Sequence, residues 1–188
     1  MTKFILHGGY AGDSTRKDLN FFREILRGVE APVKILCVYF AREKIKWSRF
    51  YRHDKKMFNK ANPKIKIKFA IATKNNFIKE AKKAKIIYFE GGINHFLQNY
   101  LLSLKNLRNI IKNKVVAGSS AGANIFVKYF FSRHRDQVIK GTGILSIKII
   151  CHYNPKKKYI IERLKNYGED LKIYKIPEYK YIIFKKDF

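Results

Sequence analysis

Val115-Val116-Ala117-Gly118-Ser119-Ser120-Ala121-Gly122-Ala123 is the stretch on which the reading of this chain turns. The valines predict a buried strand, Gly118-Ser119-Ser120-Ala121-Gly122 matches the pattern G-x-S-x-G, and an amphipathic helix is expected over Ala123–Phe131. A serine forced into so tight a strand-to-helix corner stands exposed above the end of its sheet, and flanking glycine and alanine avoid clashes in the strained backbone. Ser120 is that serine. Free N–H groups at the helix start point at any anion forming beside the hydroxyl, which makes the Ala121 N–H one natural oxyanion donor. A second is expected from another strand-end loop, and Gly92 of Gly91-Gly92 supplies a bare N–H at no steric cost.

Outward from this corner, short apolar runs alternate with longer amphipathic stretches, the pattern of βα units on a parallel sheet. Strands are expected at Lys3–Leu6, Val33–Tyr39, Ile65–Ile71, Lys85–Phe89, Val115–Gly118, Ile147–Cys151, Leu171–Ile176 and Lys180–Phe184. Helices are expected near Arg16–Arg27 (capped by Asp13-Ser14-Thr15), Trp47–Asn59, Asn76–Lys83, Phe96–Asn113 with a break at Ser103, from Ala121 onward, and Pro155–Asn166. The fold class is therefore α/β: a three-layer sandwich with a mainly parallel sheet, in a single domain over residues 1–188. Ligand sites of such sheets lie at the carboxyl ends of the strands. His7-Gly8-Gly9 and Glu90-Gly91-Gly92 are the other strand-end loops of that kind.

Composition narrows the function classes. The apolar runs, such as Ile86–Phe89, fall far short of the ~20 residues a membrane span needs. The N-terminus carries no signal-peptide pattern, so a cytoplasmic location and no membrane partner are expected. Cys37 and Cys151 sit inside apolar runs without metal-type spacing, which predicts neither disulfide nor metal, and no cofactor is called for. The net charge of +27, from 41 basic and 14 acidic residues, invites a polyanion partner. Lysine supplies 31 of the cations and is spread along the whole chain, whereas clustering is what marks a nucleic-acid footprint, so nucleic acid is not the expected partner.

A serine needs a base within ~3 Å and a third group to orient that base. Of the five histidines, His7, His95 and His152 fall at strand ends. His152 is preferred because its strand follows the nucleophile helix and is expected to lie beside the strand of Val115. Among the acids after it, Glu178 in Ile176-Pro177-Glu178-Tyr179 follows a strand and sits at the same type of edge.

These residues resemble the dipeptidase E (aspartyl dipeptidase) family of serine peptidases, which includes cyanophycinase-like enzymes and has the class I glutamine amidotransferase-like, flavodoxin-like fold. The carriers are Phe4-Ile5-Leu6-His7-Gly8-Gly9, Tyr88-Phe89-Glu90-Gly91-Gly92 with Phe96-Leu97, Ala117 to Ala123, Gly141-Thr142-Gly143-Ile144-Leu145, and His152-Tyr153 followed by Arg163-Leu164. The family order serine, histidine, acid maps onto Ser120 and His152 by motif and onto Glu178 by position. An amidotransferase proper has cysteine where Ser120 stands. Family members usually follow the double glycine with Asn or Asp and Thr, where this chain has Ile93 and Asn94, and Ile150 replaces the acid commonly found two residues before the histidine.

The expected activity is thus amide hydrolysis in short peptides, acidic ones among them, by a monomer or homodimer. Two alternatives stand beside it: an α/β-hydrolase-type esterase using Ser120, Asp136 and His152, and a non-catalytic family member with a basic binding surface.

Overall fold

The computed structural model describes residues 1–10 and 16–188, with backbone alone for residues 16 and 17. The cap expected at Asp13-Ser14-Thr15 lies outside the described residues. In chain order the elements are β1 (Thr2–His7), α1 (Arg16–Leu26), β2 (Val33–Val38), α2 (Trp47–Ala61), β3 (Ile67–Ile71), α3 (Phe77–Lys83), β4 (Ile86–Phe89), α4 (Asn94–Leu101) and α5 (Leu107–Ile111). Then come β5 (Val115–Ser119), α6 (Ala121–Asn124), β6 (Val127–Ser132), β7 (Gln137–Lys140), β8 (Leu145–Cys151), α7 (Tyr159–Lys165), β9 (Ile173–Ile176) and β10 (Tyr181–Lys186).

The larger sheet runs β10-β1-β5-β4-β2-β3, parallel throughout except for β10, which pairs antiparallel with β1. Its central strands are near-continuous apolar runs because both faces are covered. Alternate side chains go to opposite cores: Ile35, Cys37, Ile86 and Tyr88 pack under α1 and α2. Leu36, Val38, Ile87 and Phe89 face α3, α4, α5 and the second sheet.

That second sheet corrects the single-sheet expectation. It runs β7-β6-β8-β9, with β6, β8 and β9 parallel and β7 antiparallel. Its inner face joins the core of the larger sheet through Val127, Phe130 and Ile149. Its outer face packs Tyr129, Phe131 and Ile150 against Ile160 and Leu164 of α7. The helix expected over Ala123–Phe131 is therefore wrong beyond Asn124. Val127-Lys128-Tyr129-Phe130-Phe131 is rich in β-branched and aromatic residues, and as a strand it pairs with β8 and buries Val127 and Phe130 in one core and Tyr129 and Phe131 in the other. The strand of Cys151 lies in this second sheet, so it is not the neighbour of β5. The long helix from Phe96 divides into α4 and α5, and α7 begins at Tyr159, four residues after Pro155. Among the described residues no helix is long and apolar enough to cross a membrane.

Candidate active site

Ser120 occupies the corner between β5 and α6 with φ 48° and ψ −107°. For a residue other than glycine that backbone costs about 1–3 kcal/mol, and the surroundings hold it in place. The Ser120 N–H donates to the His7 carbonyl at 2.9 Å, and the Ser120 carbonyl accepts from the Ala123 and Asn124 N–H groups at 2.9 and 2.8 Å. Close approach explains the glycines of the motif. A Cβ on Gly118 would lie 2.1 Å from the Gly122 carbonyl oxygen, and one on Gly122 would lie 2.1 Å from that of Phe89. Because α6 is a single turn, its dipole is small, and its contribution here comes from free N–H groups.

His152 follows β8 with φ 53°, and its N–H donates to the Gly8 carbonyl at 2.7 Å. Its ring stands 3.0 Å from Ser120 Oγ through Nε2 and 3.1 Å from Glu178 Oε1 through Nδ1. Glu178 lies between β9 and β10, in the turn that carries the chain from the smaller sheet to the larger one. A carboxylate on Nδ1 favours the tautomer with hydrogen there, which leaves the Nε2 lone pair for the serine proton. Burial holds the His152 imidazole below its ordinary value. The Glu178 hydrogen bond opposes this by raising it, while Arg133 and His7 lower it further.

The loop after β4 passes beside the serine, since a Cβ on Gly91 would stand 3.4 Å from Ser120 Cβ. Among the described residues the N–H groups of Gly92 and Ala121 have no acceptor. Beneath this loop lies a buried polar cluster. Glu90 accepts from Tyr88 Oη at 2.6 Å and from Arg42 at 3.4 Å, and Asp54 accepts from Tyr39 Oη at 2.8 Å. Burial, with Glu90 nearby, pushes the Asp54 carboxyl well above the usual carboxylate range.

A cleft of about 710 Å³ opens from Ser120 and His152 toward α2. Arg49, Arg52, His53 and Lys56 line its wall at the i, i+3, i+4, i+7 spacing of one helix face, and Arg42 joins them with its guanidinium 4.2 Å over the Phe50 ring. Among the described residues no carboxylate pairs with Arg49, Arg52 or Lys56. A smaller lobe of about 280 Å³ lies on the other side of the serine, lined by Asn94, Asn124, Arg133 and His134. Sequence reasoning missed the cationic wall. The helical spacing of Arg49, Arg52 and Lys56 was the available signal, hidden by the general abundance of lysine.

The structure thus brings Ser120, His152 and Glu178 together and sets Gly92 and Ala121 around the serine. It keeps Asp136 in the turn between β6 and β7, paired with Arg163 at 2.9 Å. His95 packs on Phe96, and His7 is fully buried. Among the described residues no group of three or more His, Cys, Asp or Glu side chains could hold a metal.

The chain is similar to a peptidase from an acI-B1 Actinobacterium, with 21% identity and a TM-score of 0.72 over 98% of this chain and 84% of the other. It is also similar to a putative peptidase E protein from Listeria monocytogenes EGD-e, with 17% identity and a TM-score of 0.66 over 98% and 94% of the two chains. These likenesses show the α/β fold. No curated protein matches the chain. The sequence profile of Peptidase family S51 matches residues 5–187, nearly the whole length, and on that match the chain belongs to Peptidase family S51.

Proposed function

We propose that this chain is a serine-type peptidase that hydrolyses an amide bond in short, acidic peptides. The observation that carries the reading is the relay from Ser120 Oγ through His152 to Glu178, at 3.0 and 3.1 Å, beside two N–H groups that among the described residues lack acceptors. In the first step Ser120 Oγ attacks the scissile carbonyl carbon as its proton passes to His152 Nε2. The carbonyl oxygen becomes an oxyanion, held by the Gly92 and Ala121 N–H groups. His152 then gives the proton to the leaving amine, and the acyl group stays on Ser120. Water, deprotonated by His152, releases the acid product and restores the serine. Glu178 keeps Nδ1 protonated and stabilises the imidazolium that forms twice per cycle.

Burial of His152 supports a neutral imidazole near neutral pH, the form that accepts a proton. The charge of the substrate is inferred from the wall of α2: three cations that among the described residues have no carboxylate partner, at the mouth of the cleft, favour a peptide carrying negative charge. A fluorophosphonate probe with peptide mapping tests the reaction class, followed by a panel of acidic, neutral and basic short peptides. Labelling at Ser120 and preferential turnover of acidic peptides are expected. A protein that leaves the probe unreacted, or that reacts at another serine, overturns the reading.

A further inference from the structure

His7-Gly8-Gly9 is one of the strand-end loops beside the site, yet the proposed chemistry uses none of its side chains. Its three successive carbonyls receive the three parts of the site in turn. The His7 carbonyl accepts from the Ser120 N–H at 2.9 Å and the Gly8 carbonyl from the His152 N–H at 2.7 Å. The Gly9 carbonyl accepts from the N–H of Tyr179, the neighbour of Glu178, at 3.3 Å. Nucleophile, base and acid leave β5, β8 and β9, which belong to two different sheets, so this tripeptide is a common reference for all three.

The tripeptide is held by the Gly8 N–H, which donates to the Lys180 carbonyl at 2.9 Å, and by the His7 ring. The ring is 0% exposed and packs 4.5 Å from the Phe21 ring. Nδ1 accepts the Gly9 N–H at 3.2 Å, and Nε2 faces Asp18 Oδ1 of α1 at 3.5 Å. An N–H donating to Nδ1 requires a lone pair there, so the ring hydrogen belongs on Nε2, toward the Asp18 carboxylate. Gly9 itself lies directly against the base. Its φ is +129°, and a Cβ there would lie 2.0 Å from His152 Cε1, so the Gly9 backbone forms a wall against the base.

Resting on the serine-peptidase reading, we propose that His7 is a positioning residue: through its Nδ1 it holds the Gly8-Gly9 peptide against which the His152 ring and the Glu178 turn are placed. The ring touches no reacting atom. Its loss lets Gly9 shift, and a displacement of the base by ~1 Å is enough to cost about 10²-fold in rate.

The test compares His7→Asn, whose Oδ1 can replace Nδ1 as acceptor, with His7→Leu, which fills similar space without one. Both are measured by fluorophosphonate labelling of Ser120, by kcat and KM on the best peptide, and by thermal melting. For His7→Leu we expect labelling rate and kcat to fall together by about 10²-fold at little-changed KM, and for His7→Asn recovery of most of that loss. Equal losses in the two folded variants, or a His7→Leu that labels as the parent does, overturn the assignment. An unlabelled parent overturns the peptidase reading instead, and this assignment with it. Histidine ¹⁵N shifts of the parent protein give a readout independent of folding in the variants: a His7 protonated on Nδ1 would overturn the proposal whatever the kinetics.

Discussion

Ser120 leaves β5, a strand buried along its whole length between β1 and β4, whereas Glu178 leaves β9, an edge strand of the smaller sheet in which Ile176 alone is buried. The serine is placed by close packing on every side: a corner into which not even a Cβ fits at Gly118 or Gly122. The acid is placed by a turn between two sheets and one contact to His152, and its side chain is 39% exposed. His152 stands between them, 18% exposed, on the inner strand β8. A densely packed element cannot relax around a lost group, while an edge turn can shift or admit water to replace it. The proposed site should accordingly tolerate change in the order acid, base, nucleophile.

The largest effects test the packed end. Ser120→Ala and His152→Ala should each lower kcat by about 10⁴-fold or more, and the double variant should be little worse than either, because members of one catalytic unit are strongly non-additive. Steady-state kinetics of the three variants checks this, and additive losses would break the picture of a single unit.

The exposed end should give less. Glu178→Gln keeps the shape of the side chain but no longer stabilises the imidazolium, and a loss of at most about 10⁴-fold in kcat is expected, smaller than at the serine. Asp136→Asn should change kcat by less than about 3-fold, since its exposed pair with Arg163 contributes at most ~1 kcal/mol and lies in another turn. If the Asp136 variant suffers the larger loss, the esterase arrangement of serine, Asp136 and His152 replaces the one drawn here.

Farther from the reacting atoms, Arg49→Glu with Arg52→Glu should raise KM for acidic peptides by about 10-fold while leaving kcat nearly unchanged, and the difference should shrink at high salt. A loss in kcat at constant KM would show that α2 acts on the chemistry and not on substrate charge.

The smallest effect is a shift of the pH profile. As the proposed base, His152 would act in its neutral form, so kcat/KM should rise with pH as the imidazolium loses its proton. Burial places that limb below the ordinary histidine value of about 6.5. Arg133 lowers the His152 value, so Arg133→Gln should move the limb to higher pH; Glu178 raises it, so Glu178→Gln should move the residual activity to lower pH. Shifts of the opposite sign would show that another group controls the limb.

The corner at Ser120 was legible in the chain because its constraints are local. Two valines make a buried strand, Gly118 and Gly122 clear the space on either side, and all the interacting atoms lie within a few residues. The parallel strands β1, β2, β4 and β5 were legible for a similar reason, since an apolar run covered on both faces marks itself. The Ala123–Phe131 segment was misread because Ile125, Phe126, Tyr129 and Phe130 also suit a helical face. Pairing with Lys148 and Ile149 of β8, distant in sequence, decides the matter. The same long-range pairing moved β8 out of the larger sheet, so His152 reaches Ser120 from a direction that reasoning from adjacent strands did not foresee.

By itself the sequence determined the α/β class, the strained serine corner and the small residues that make it, because short-range sterics and side-chain period act before any distant contact forms. Tertiary structure alone decided what depends on two sheets meeting. It brought Glu178 rather than Asp136 to His152, turned the Arg49, Arg52 and Lys56 face of α2 toward the serine, and joined three loops on the carbonyls of His7, Gly8 and Gly9. Those placements follow from how buried apolar faces pack across elements far apart in the chain, and local preference contains no term for that distance.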